Sequence, residues 1–263
     1  MNVQELERCF HRAFQGSYSK KKLFLVFATL FCCGILVVFC RTLAIHASDW
    51  VAMSLTFLPI LLSSGVLFSL GIILIRIYYH EVKQHTFHIH SIFTSSRHLI
   101  LDTFYLSAPS ILIYILLWIL LGIFLVIKEI PGIGVLLSFA PFLLILGSLL
   151  LCLGNFVLLF FITPAIALKG GERLQIQTIL EKIKDRSFSH ILFFLIALFP
   201  IGCVVGLLTL AAVLTGGYLL SDHPLSIAIR WFFIMFPFAA LLAPAVIFFF
   251  NLATEAYNLL YKR

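Results

Sequence analysis

The sequence predicts an all-α integral membrane protein with six transmembrane helices and both termini on the cytoplasmic side. Three observations predict it. The chain of 263 residues is 62% hydrophobic and only 11% charged, with a mean hydropathy of +1.12, far more apolar surface than a water-soluble domain can cover. Apolar runs of roughly 20 residues, the length that crosses a bilayer, recur along it. The lysines and arginines gather in alternate connectors between those runs, as membrane topology requires.

The first predicted span is Leu23 to Cys40, preceded by three lysines. The leader is long and "RTLAIHASD" offers no clean cleavage site, so this is expected to be an uncleaved span. The second runs from Val51 to Tyr78 and the third from about Tyr105 to Ile127. Gly132 to Leu168 is too long for one straight helix, and Pro141 offers a break. A short re-entrant or tilted piece over Gly132–Pro141 is therefore expected, followed by a span from Pro141 to Leu168. The fifth and sixth spans cover about Ile191 to Leu220 and Leu225 to Asn251.

With both termini inside, 15 of the 18 lysines and arginines fall on the inner side, leaving Arg41, Lys128 and Arg230 outside. That bias orients the chain and requires an even number of spans. The same count explains the net charge of +7 without a nucleic-acid-binding face. The six cysteines form no Cys-x-x-Cys pair, and five lie in or beside apolar runs, so they read as small buried hydrophobes.

Two inner segments carry helical apolar spacing. Val3, Leu6, Phe10, Ala13, Phe14 and Tyr18 form one stripe, and Ile176, Ile179, Leu180 and Ile183 another, the second flanked by Lys182, Lys184 and Arg186. Amphipathic helices of this kind lie at headgroup level, or pack as cytosolic helices on another protein. The headgroup reading nominates Lys20, Lys21, Lys22, Lys182, Lys184 and Arg186 as ligands of anionic lipid. The order of inner helix, span, outer turn and span repeats three times, giving approximate units 1–80, 81–170 and 171–263 of a single membrane domain. "TPAIAL" at 163–168 and "APAVIF" at 243–248 occupy corresponding places in two units.

The segment "TPAIALKGGERLQIQTILEKIKDRSFSHILFFLIALFP" resembles the recurring segment of YciC-like bacterial membrane proteins. It is also similar to the membrane domain attached to some glycerophosphodiester phosphodiesterases. The matching residues are Pro164, Ala165, Ile166, Leu168, Gly170, Gly171 and Ser187; Lys169 departs, standing where the family often has an acid. The resemblance implies a bacterial inner-membrane protein with an envelope-related role. It carries no enzymatic activity across, because no phosphodiesterase catalytic domain is present.

"HEVKQHTFHIH", residues 80–90, is the sharpest candidate for chemistry. A zinc protease needs His-Glu-x-x-His, with both imidazoles one helical turn apart. Here His80 and His85 are five residues apart, so protease chemistry is disfavoured. His85, His88 and His90 could still ligate a transition metal, against the favoured reading of interfacial residues in a polar connector. Asp102 stands near the inner boundary of the third span, Asn155 deep in the fourth and Arg230 five residues into the sixth, and they would line a site only if they converge. Each also has a structural reading: pairing with Arg97 for Asp102, helix–helix hydrogen bonding for Asn155, snorkelling for Arg230. Neither a phosphate-binding loop nor a nucleophile elbow appears.

The function expected from these readings is a non-enzymatic, multi-pass protein that organises anionic lipid or partner proteins, with no cofactor and no nucleic acid. A homo-oligomer or another membrane protein would serve as such a partner. The alternative is a small-solute transporter or channel with a proline-lined cavity, since Pro59, Pro109, Pro141, Pro164, Pro200, Pro237 and Pro244 interrupt five of the spans.

Overall fold

The computed structural model describes residues 3–44, 47–83, 89–128, 139–169, 187–216 and 224–261. Every element among the described residues is helical: α1 (Val3–Gln15), a 3-10 turn over Gly16–Tyr18, α2 (Lys20–Ala44), α3 (Asp49–Val82), α4 (Ile89–Lys128), α5 (Ala140–Lys169), α6 (Ser187–Gly216) and α7 (Pro224–Tyr261). Six of them, α2 to α7, are long and apolar enough to cross a membrane. The multi-pass reading therefore stands. The stretch from Gly132 to residue 138, the second basic segment at 170–186, and His85 with His88 lie outside the described residues.

The helices outrun the spans read from hydropathy. α4 has 40 residues, about 60 Å at 1.5 Å per residue, roughly twice the hydrocarbon thickness. Its first four turns carry Ser91, Thr94, Ser95, Ser96 and Arg97, and they continue into the apolar span without a break. The connector expected before the third span is thus largely helix. Pro141 stands in the first turn of α5, where its missing N–H costs nothing; the break expected there is a helix start.

Contacts near the chain ends define one end of the bundle, here called proximal, where α2, α4 and α6 begin and α3, α5 and α7 finish. Lys22 meets Glu81, Arg76 meets Ser96 and Ala167, Phe194 meets Phe160, and Tyr78 meets Glu255. At the distal end the Arg41 guanidinium lies over the Trp231 ring at 5.5 Å.

Two helices form the centre. In α3 61% of the span is buried and in α7 50%, against 17–22% for the other four. Every residue from Leu70 to Ile75 and from Ala245 to Tyr257 is buried, so both helices are enclosed on all sides near the proximal end. α2 rests on α3 and α7, α5 on α3, α4 and α7, and α6 on α7. The outer helices turn leucine, isoleucine and phenylalanine outward, including Phe199, Leu207 and Val213 of α6, as lipid requires.

Helices do not gain from hydrophobic exclusion against one another in lipid, so close packing must hold them. Gly71 in α3 shows how close. A Cβ there would press into the Phe250 ring of α7 and stand 2.9 Å from the Thr163 methyl of α5. Phe160, Phe249 and Phe250 interlock beside it edge to face, with centroids 5.3 Å apart.

Gly71→Ala should therefore lower stability by about 1–3 kcal/mol through overpacking. Gly202→Ala, where nothing lies within 4 Å, should be neutral or gain up to about 1 kcal/mol. Thermal unfolding in detergent, followed by circular dichroism, measures both; equal shifts would contradict the packing described.

Candidate functional site

The proximal end holds a network of charge that most of the chain converges on. Apolar residues place it there: Val26 and Leu30 of α2, Leu74 and Ile75 of α3 and Val246 and Phe250 of α7 share one buried cluster. Their polar neighbours one or two turns nearer the proximal end of each helix are then forced together.

Lys22 leads the network. Its side chain has no exposed surface, it forms an ion pair with Glu81 of α3, and its ammonium donates to the Gly16 carbonyl at 3.2 Å. The same ammonium stands 5.1 Å from the Tyr78 ring centroid, a favourable cation–π geometry. Tyr78 donates its hydroxyl to Glu255 Oε1 at 2.7 Å. Arg12 of α1 reaches that oxygen from the other side at 3.6 Å. Asn251, one turn before Glu255 on α7, donates to the Ala13 carbonyl at 3.1 Å. Ser17 donates to the same carbonyl at 2.8 Å.

The turn after α1 depends on glycine. A Cβ at Gly16 would lie 3.0 Å from the Tyr78 ring and 3.1 Å from Asn251 Nδ2, so the backbone can approach α3 and α7 only without a side chain. α1 itself buries Cys9 and Ala13, leaves Glu7, Arg8 and His11 exposed, and sets Phe10 against Phe248 of α7, centroids 5.3 Å apart.

A second polar contact ties α3, α4 and α5. Arg76 Nε donates to the Ala167 carbonyl at 3.2 Å and its NH1 group to Ser96 Oγ at 2.9 Å. Ala167 lies in the last turn of α5, whose carbonyls lack helical partners, so a guanidinium there satisfies an orphan acceptor and the negative end of the dipole.

Beside the network, a partly open cleft of about 590 Å³ runs between the N-terminal segment, α6 and α7. Phe10, Phe14 and Tyr18 form one wall, Phe199, Pro200 and Cys203 another, and Pro244 with Phe248 the floor. Almost all of this lining is apolar. Its size is that of a small-molecule site.

The residues nominated from sequence fare differently. Lys20 and Lys21 are exposed. Lys22 is not: it is wholly buried and paired, because helical rotation turns one lysine of the three toward α3. Lys182, Lys184 and Arg186 lie outside the described residues, as do the side chains of Asp102 and His90. Asn155 is buried on α5 and accepts from Ser110 of α4 at 2.9 Å, the helix–helix use, while its Nδ2 has no hydrogen-bond partner. Arg230 is half-buried in the turn that carries Trp231, which meets α2. The structure thus places Asn155 against α4 and the Arg230 turn against α2, and neither lines the cleft. Among the described residues no group of three His, Cys, Asp or Glu side chains could hold a metal.

Glu255, Tyr78, Asn251 and Arg76 are not nominated by sequence as site residues, and Glu81 enters there only as part of the histidine stretch. The available signal was "NLATE", which spaces Asn251 and Glu255 by four residues on one helix face.

No known protein family, characterised protein or solved structure matches the chain.

Glu81→Gln should cost on the order of 3 kcal/mol, because it strands a fully buried ammonium. Lys22→Met should cost less, since Glu81 is 32% exposed and keeps access to polar surroundings. The double variant Lys22→Met/Glu81→Leu should be milder than the sum of the two. Unfolding midpoints in detergent give all three, and additive losses would show that the pair does not act as a unit.

Proposed function

We propose that the chain is a non-enzymatic, multi-pass membrane protein that gathers anionic phospholipid at its proximal end, which faces the cytoplasm of a bacterial cell. The apolar cleft carries the reading: it lies between α6, α7 and the N-terminal segment, and its apolar lining suits an acyl chain. Exposed Lys20, Lys21 and Arg8 stand at the same end, where their charge favours a phosphate group above such a chain. The amphipathic reading of α1 fits here, with Phe10 and Phe14 toward the cleft and Arg8 toward headgroups.

The excess of lysine and arginine at this end supports a cytoplasmic orientation. The likeness to YciC-like proteins supports an inner-membrane, envelope-related setting and the three-unit organisation. On this reading the basic segment holding Lys182, Lys184 and Arg186 adds to the same headgroup surface. A transporter draws less support, since Asn155 and Arg230 belong to separate helix contacts.

Spin-labelled phosphatidylglycerol and phosphatidylcholine test the proposal in reconstituted vesicles. The motionally restricted fraction should favour phosphatidylglycerol by at least about fivefold, the worth of one well-placed lysine at about 1 kcal/mol. Glutamine at Lys20, Lys21, Lys182, Lys184 and Arg186 together should bring the preference toward unity, and Cys203→Phe should reduce the restricted fraction by filling the cleft. Equal association of the two lipids with the parent protein would sink the reading.

A further inference from the structure

The proximal cleft has one wall that is held differently from the rest. Phe199 and Pro200 belong to α6 and Pro244 and Phe248 to α7, both of them apolar spans. Phe10 and Phe14 belong to α1, a helix of 13 residues outside the spans. α1 rests on α7, and of its described side chains only Cys9 and Ala13 are buried, while Phe10 and Phe14 are 42% and 46% exposed. Two small buried side chains contribute little transfer free energy, so a segment packed this thinly opens before the bundle unfolds.

Polar contacts hold α1 where packing does not, and one of them is open to exchange. The Arg12 side chain is 56% exposed as it reaches Glu255, whose own side chain is 8% exposed. Tyr78 donates to the same carboxylate, which therefore keeps a partner if the guanidinium leaves. A phosphate can replace the carboxylate for Arg12, since a guanidinium binds both in bidentate geometry. The second contact, from Asn251 to the Ala13 carbonyl, lies in the last turn of α1. Gly16 follows directly. Its carbonyl is held by Lys22, and its freedom in φ and ψ lets the helix before it turn while the chain after it stays.

We infer that α1 is a gate on the proximal cleft, latched by the Arg12–Glu255 pair and released by anionic phospholipid. The lipid phosphate takes Arg12 from Glu255, and α1 pivots at Gly16 onto the membrane surface. The wall made by Phe10 and Phe14 then leaves the cleft open to an acyl chain. The released helix suits that surface: Phe10 and Phe14 stand one turn apart for the hydrocarbon boundary, and Arg8 and Arg12 one turn apart for the headgroups. The inference rests on the lipid reading for its trigger and adds how that site is opened.

Cys9 reports the gate, because it is buried with α1 in place and is the one cysteine outside the six spans. Its alkylation by iodoacetamide, located by peptide mass, is followed for the full chain in nanodiscs of phosphatidylcholine alone or mixed equally with phosphatidylglycerol. The parent should react about fivefold faster in the mixed discs, the worth of one well-placed arginine. Arg12→Gln and Glu255→Gln should each react about tenfold faster than the parent in phosphatidylcholine, the worth of one charge-assisted bond, with no further gain from phosphatidylglycerol. Tyr114→Phe, which removes a distal hydrogen bond, should keep the parent's rates, so that general loosening of the bundle is told apart from release of α1. Inorganic phosphate should not speed the reaction in phosphatidylcholine discs, and a rise equal to that in the mixed discs overturns the lipid trigger. Equal parent rates in the two discs overturn the gate even where spin-labelled phosphatidylglycerol is preferred, a result that leaves the lipid reading standing. So do latch variants no faster than the parent, or a Tyr114→Phe variant as fast as they are.

Discussion

A lysine ammonium with no exposed surface is the constraint on which the proximal end depends. Charge placed inside protein at a membrane boundary is tolerated only when nearby groups replace its hydration. Lys22 has three such groups, Glu81 and the Tyr78 ring from the end of α3 and the Gly16 carbonyl from the turn after α1. Satisfying one side chain therefore fixes the turn after α1 and the end of α3 relative to α2. Tyr78 passes the constraint on to Glu255 of α7, and Arg12 closes the circuit back to α1. The four charged groups, Arg12, Lys22, Glu81 and Glu255, sum to zero, so the network costs little in net field while holding four elements in register.

The rest of the bundle follows from what lipid withholds. Water cannot drive helices together in hydrocarbon, so association needs close backbone approach or polar contact. α3 and α7 have both: Gly71 and interlocked phenylalanines in their proximal halves, and the charge network at their ends. α6 lacks polar links to the centre among the described bonds and lies against α7 through aromatic and aliphatic surface. That contrast explains why two helices are enclosed while α6 leaves a cleft beside it. The cleft is the consequence of a short N-terminal helix, rather than a full span, filling the space next to α7.

Much of the fold was legible because hydropathy is summed over whole spans. Six runs of about 20 apolar residues give six helices whatever their packing, and the structure agrees at each. Site residues were less legible, because what decides their role is rotation about a helix axis. Lys20, Lys21 and Lys22 are identical in composition, and only the direction of α3 makes one of them a core residue. Asn251 looked like the end of the sixth span because a polar residue follows an apolar run, and that placed Glu255 outside. In fact α7 continues to Tyr261, and the polar face of its last turns is buried against α1 and α3. In "HEVKQHTFHIH" Glu81 is committed to Lys22 and the first three residues close α3, a use that histidine density does not show.

Polar atoms that remain without a protein partner are informative in proportion to their distance from water. Asn251 Oδ1 is one such atom, but it lies within the charged network, where Arg12 is 56% exposed and solvent is one side chain away. Asn155 Nδ2 and Trp118 Nε1 are different. Asn155 lies midway along α5 with Ser110 as its one bonded neighbour, and Trp118 lines a cleft with no other free donor described. Desolvation is paid in full at such depths, so each of these unpaired N–H groups subtracts from the stability of the bundle. At the proximal end the charges of Lys22 and Glu255 are instead satisfied by neighbouring helices, and the polar cost of the fold falls on the two donors that helix packing leaves unpaired.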